Sequence, residues 1–275
     1  MKLYKFIIHI MLLVFCGNAL AQSHTNQTSL MLDGVREYKE GNFEKAKEHF
    51  NKLTEINPSN DAAYYYLANI ALANNDLTLG ELYLDKCLKL DSTNYWYADM
   101  QAKILLFNKK VPQAIAVYEK MLDIYPKKSS IYYSLVNLYM NNKDVENTKQ
   151  MLEKIEQLQG KSEAVAMTYF NLYRSQSNWD GALNYLVEFD KEFQSARIES
   201  IIGDMYSDRF NDTLAIKYYD KALTLDNQYA PAICGKAEVY RLKGDYSTFF
   251  TTVEPFIKNE QYPANIKSEY LIQLI

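Results

Sequence analysis

The sequence predicts an all-α protein, a solenoid of about seven helical hairpins followed by one C-terminal helix. Three observations carry that prediction. Glycine and proline are scarce, nine and six in 275 residues, while tyrosine is abundant at 24. That balance favours long helices with aromatic knobs over short strands and turns. Between Gly41 and Pro58, Ala46, Phe50 and Leu53 recur at helical spacing, with lysines and glutamates on other positions. A small residue then returns every 34 positions, at Ala46, Gly80, Ala114, Thr148 and Ala182, with Ala215 following at 33. Self-similarity at a fixed period of this length marks stacked helical hairpins.

The chain opens MKLYKFIIHIMLLVFCGNALAQ. Lys2 and Lys5 form a short basic start, and Phe6–Phe15 is an apolar run too short to span a bilayer comfortably. Ala19, Leu20 and Ala21 supply the small residues of a cleavage site. Residues 1–21 therefore read as a secretory signal peptide cut before Gln22, with a short flexible segment at 22–26. Two alternatives stand beside this reading: an uncleaved anchor, and a lipoprotein modified at Cys16, against which the bulky Phe15 argues. Export to the periplasm or outer cell envelope is the expectation. Removing residues 1–21 takes away two lysines and no acid, moving the formal charge from −4 to −6. A mildly acidic chain without a basic cluster is a poor nucleic-acid binder. Nothing after residue 15 is long and apolar enough to cross a membrane.

The repeats occupy 27–262, with units beginning near residues 27, 61, 95, 129, 163, 196 and 230. A second small series runs through Gly34, Ala68 and Ala102, passes two larger members, and resumes at Gly203 and Ala237. Two antiparallel helices approach closely only where side chains are small. Gly34 and Ala46 are thus expected at the crossing of the first hairpin, with Phe50 and Leu53 filling the space towards the next. A bulky series follows the small one: Phe50, Leu84, Tyr118, Leu152, Leu186, Tyr219 and Val253. Turn residues separate the helices, among them Gly41, Asn75-Asp76, Asn108-Lys109, Asn142-Lys143, Asn178, Asn211-Asp212 and Gly244-Asp245. Val136 and Phe170 break the small pattern in repeats four and five, and repeat five is one residue short. Pro255 falls inside the last repeat, where a kink or break near Glu254 is expected. The segment 263–275, with Ile266, Tyr270, Leu271 and Leu274 on one stripe, reads as a capping helix or the start of a further repeat.

Little points to chemistry. After residue 21 only His24 and His49 remain, and His49 is expected to be solvated. A multi-histidine metal site or histidine base is therefore not expected, and no phosphate-binding or dinucleotide fingerprint occurs. No cofactor is expected. Cys87 and Cys234 lie more than four hairpins apart, beyond the ~7 Å reach of a disulfide, so both are expected as free thiols. Asp204 and Asp208, one turn apart, read as a solvated face.

The repeat resembles the tetratricopeptide repeat. "YYYLANIALANNDLTLGELYLDKCLKLD" carries Leu67, Ala68, Ala71, Gly80, Leu84 and Leu88 at that family's spacing. "IIGDMYSDRFNDTLAIKYYDKALTLD" carries Gly203, Tyr206, Ala215, Tyr219, Ala222 and Leu223. The resemblance implies a right-handed α-solenoid without catalytic activity, whose first helices line a concave groove for a protein or extended peptide. Carried onto this chain, one inner series is Val35, Asn69, Lys103, Asn137, Asn171, Asp204 and Glu238. An asparagine amide offers a donor and an acceptor and can hold a peptide backbone. Lys103 and the terminal acids interrupt such a ladder. Tyr65, Tyr66, Trp96, Phe107 and Tyr133 accompany it; Tyr66 reads better as core, while Tyr65 and Tyr133 fit groove or core. The inner charges change sign, from Lys103, Arg174 and Arg197 to Asp204, Asp208 and Glu238. The expected binding set is Tyr65, Asn69, Trp96, Lys103, Tyr133, Asn137, Asn171 and Arg174. Partner identity and oligomeric state stay open.

Overall fold

The computed structural model describes residues 26–272. The signal-peptide reading of 1–21, Cys16 and Leu274 fall outside them. Among the described residues there are fifteen helices and no strand. They fall into two compact units, one up to Leu138 and one from Tyr139. The first holds α1 (26–39), α2 (Phe43–Ile56), α3 (Asp61–Ala73), α4 (Leu77–Leu90), α5 (Tyr95–Phe107), α6 (Val111–Ile124) and most of α7 (Ser129–Asn141). The second holds the end of α7, then α8 (Val145–Gln159), α9 (Glu163–Ser175), α10 (Trp179–Asp190), α11 (Ala196–Ser207) and α12 (Asp212–Leu225). It continues with α13 (Ala230–Leu242), α14 (Tyr246–Lys258) and α15 (Ala264–Ile272). The result is an all-α helical-repeat solenoid fold in which first and second helices alternate seven times.

The turns explain why the helices stop where they do. Each first helix ends in a residue with left-handed backbone: Gly41, Asn75, Lys109, Lys143, Ser177, Phe210 and Gly244. The next residue's N–H reaches back five positions, as in Asp76 to Ala71 O at 2.9 Å and Asn211 to Tyr206 O at 2.9 Å. This satisfies carbonyls the helix end leaves open. In five of the seven hairpins the same residue then caps the second helix. Side chains of Asp76, Asp144, Asn178, Asn211 and Asp245 each accept the N–H three residues on. Lys110 cannot cap in this way, and Pro112 presets the first turn of α6 instead.

The small positions are buried as expected, but their pairing differs from a crossing of small on small. A Cβ placed on Gly34 would lie 2.7 Å from Phe50 Cε1, and one on Gly80 would lie 2.6 Å from Leu72 Cδ2. Each gap therefore receives the large side chain one turn beyond the partner's small residue, a knob entering a groove. Phe50 also stacks on Tyr66 of the next hairpin at 4.8 Å, which places Tyr66 in the inter-repeat core. Phe170 is accommodated in the core of the second unit with Ala182 and Leu186. The expected break at Glu254 does not occur. α14 continues through Pro255 to Lys258, because Pro255 lies in the last turn and its neighbours Val253 and Phe256 are buried. Tyr270 of α15 packs edge-on against Phe256 at 5.6 Å.

Candidate interaction surface

In the first unit the first helices α3, α5 and α7 carry six of the expected binding residues. Local capping positions them: Asn60 and Asn94 side chains accept the N–H of Ala63 and Trp96. The hydroxyl of Tyr97 donates to Asp61 Oδ2 at 2.9 Å, tying α5 to α3. Ser130 Oγ lies 3.3 Å from Tyr95 Oη, tying the start of α7 to α5. Tyr65 is half-buried, its ring 5.5 Å from Tyr97 and 5.9 Å from Tyr66. Trp96 is 59% exposed beside Tyr95, and Lys128 Nζ sits 4.1 Å above the Tyr95 ring. Tyr133 is 38% exposed and Asn137 is exposed on the same helix. Asn69 is half-buried and donates its amide to Tyr65 O at 2.8 Å, so one of its donors is already used inside α3.

Lys103 is exposed and paired with Asp99 at 2.7 Å. The other oxygen of Asp99 accepts the Tyr118 hydroxyl at 2.8 Å. The Asp99 hydrogen bond, ahead of the nearby Tyr65 and Tyr95 phenols, raises the Lys103 pKa and keeps the ammonium charged. Asp99 and Lys128 escaped sequence reasoning. Asp99 occupies the repeat position of Tyr65 and Tyr133, and that exchange of an aromatic for an acid was the available signal. Beside Lys103 a cavity of about 240 Å³ is lined by Leu72, Leu77, Ile104 and Phe107, with Asn75 at its edge.

In the second unit Asn171 is exposed, and Arg174 places its guanidinium 5.5 Å from the Phe170 ring and 5.9 Å from Trp179. The charges expected to change sign along the inner series are in several cases paired locally. Arg197 pairs with Glu163 at 3.4 Å, and Glu238 with Arg241 at 2.5 Å. Asp204 accepts the Tyr219 hydroxyl at 2.7 Å, and partial desolvation of the carboxyl around that contact outweighs the hydrogen bond and raises it above the usual range. Asp204 and Asp208 are both exposed, as a solvated face requires, and Asp204 adds the hydrogen bond from Tyr219.

His49 also departs from expectation: it is half-buried, with Nδ1 shielded and unpartnered. Cys87 and Cys234 are free thiols, and burial pushes each up to about 12. Among the described residues no group of three potential metal ligands forms, and no helix is long and apolar enough to cross a membrane. The arrangement offers aromatic faces, amides and a charged ammonium, the chemistry of contact and recognition.

Family models described as tetratricopeptide repeat match residues 37–104 and 201–229. These two stretches are tetratricopeptide repeats. A TPR repeat-containing protein of Methanocaldococcus jannaschii is 24% identical over 123 residues, 45% of this chain. The chain spans 22% of that curated relative's length. Among solved structures, the C-terminal part of a TPR repeat-containing protein from Cytophaga hutchinsonii superposes with a TM-score of 0.61. Identity is 16%, covering 84% of this chain and 96% of that one. A tetratricopeptide repeat protein from Parabacteroides merdae gives 0.53 at 16% identity, covering 90% and 98%. The pilF protein of Pseudomonas aeruginosa gives 0.52 at 21% identity, covering 79% and 99%. At these identities the likeness is one of fold. The tetratricopeptide fold supports a protein-interaction scaffold.

Proposed function

We propose that this tetratricopeptide-repeat protein is a non-catalytic scaffold of the bacterial cell envelope. It holds a protein or extended peptide against the first helices of its first unit. The observation that carries this reading is the exposure of Trp96 and Tyr133 on α5 and α7, with Lys103 and Asn137 on the same helices. Tyrosine and tryptophan supply large contact area at low entropic cost. Lys103 stays charged while Asp99 holds it in place, so a carboxylate on the partner meets an oriented ammonium. The envelope assignment is supported by the N-terminal basic, apolar and small-residue pattern. In the second unit, Asn171 and Arg174 are proposed as further contacts.

A photo-crosslinking residue at Tyr133, expressed in the native host, tests the surface against a matched site at Lys120 on α6. One discrete protein adduct from position 133 and none from 120 is expected. Adducts from position 120 alone would move the contact to the second helices and overturn the reading. With the partner in hand, Trp96→Ala should weaken binding about tenfold or more, as for a buried aromatic anchor.

A further inference from the structure

The junction between the fifth and sixth hairpins contains two buried acids, one of them at a position where no other repeat is charged. At the Glu199 position the other six repeats carry Leu30, Tyr64, Ala98, Tyr132, Ala166 and Ile233. At the Asp190 position four of the other six repeats carry Leu88, Leu122, Leu223 and Ile257, and two carry Thr54 and Glu156. Glu199 is 1% exposed and Asp190 3%. One cation serves both: Lys221 Nζ lies 2.8 Å from Asp190 Oδ2 and 3.9 Å from Glu199 Oε1. The remaining oxygens, Asp190 Oδ1 and Glu199 Oε2, are shielded from solvent and accept no hydrogen bond. Both carboxyls converge on the same ammonium.

Two carboxylates with one ammonium leave a net negative charge out of water, which is costly. A single proton held by the pair neutralises the cluster. We propose that Asp190 and Glu199 share one proton, and that its loss towards neutral and alkaline pH loosens the junction of α10, α11 and α12. The groups facing Glu199 are Asp190 from α10, and Lys221 with Tyr218 from α12, whose ring takes Lys221 Nζ at 4.7 Å. Charges on the neighbouring helices are engaged elsewhere: Glu188 with Lys191, Glu163 with Arg197, and Lys236 with Asp220.

Burial, and next the hydrogen bond and charge of Asp190, raise Glu199 to about 7, with Lys221 opposing. A carboxyl raised in the folded state contributes stability that is complete below its unfolded value. That contribution fades as pH rises towards the folded value and is gone above it. The measurement is thermal and urea unfolding of the full chain and of Glu199→Gln from pH 5 to 8.5. Glutamine keeps a donor for Asp190 Oδ1 and cannot ionise. The two proteins should match near pH 5. Up to about pH 7 the wild-type folded-to-unfolded ratio should fall relative to the variant by about tenfold per pH unit, the slope of one proton, and then level off. Parallel profiles would overturn the proposal. If the variant does not fold, difference infrared on the chain carrying Asp204→Asn decides. A protonated-carboxyl band lost between pH 6 and 8 is expected, and no such band overturns it.

Discussion

Tyr219 shows how single positions hold this fold. Its ring fills the space left by two glycines: a Cβ on Gly203 would lie 2.7 Å from it and one on Gly235 2.6 Å. Its hydroxyl ends on Asp204. Tyr118, at the same repeat position, donates to Asp99 in the same manner. Gly235 also lies against the ring, which limits how far it can shift. Gly203→Ala should therefore cost about 1–3 kcal/mol by overpacking. A fall in the urea midpoint with an unchanged slope is expected, and an unchanged midpoint would mean that the ring relocates. The large and small members of these pairs were legible in the sequence. Their acid partners were not, since Asp99 and Asp204 look like surface residues until a neighbouring tyrosine is seen to point at them.

The helix–turn–helix element is a backbone device repeated with different side chains. Glycine fits its left-handed position without cost, and Asn75 tolerates it. Phe210 takes the same conformation, at φ 56°, while 89% exposed. A bulky side chain is strained there and gains no burial in return. Phe210→Gly should raise stability by up to ~1 kcal/mol, read as a higher melting temperature with unchanged helicity. A lower melting temperature would show that the ring is held after all. The turn locations could be read from Gly41, Asn75 and Gly244. The continuation of α14 through Pro255 could not, because buried Val253 and Phe256 hold that last turn in place.

At the scale of the whole molecule, the net charge of −4 and the pairing of most inner charges argue against a polyanionic partner. A fluorescein-labelled DNA duplex should show no anisotropy change with the chain at ~0.15 M salt. Saturable binding there would sink the protein-partner reading. The sequence by itself determined the helix count, the 34-residue register, the turns and which positions are small or large. Those features are local, written in the helical period and in the residues that tolerate left-handed backbone. Only the tertiary structure decided which knob enters which gap, and that Glu199 and Asp190 meet beside one lysine. Burial and pairing are created by whichever helix packs opposite, within the hairpin or across a junction, and no periodicity within a helix encodes what that neighbour will place there.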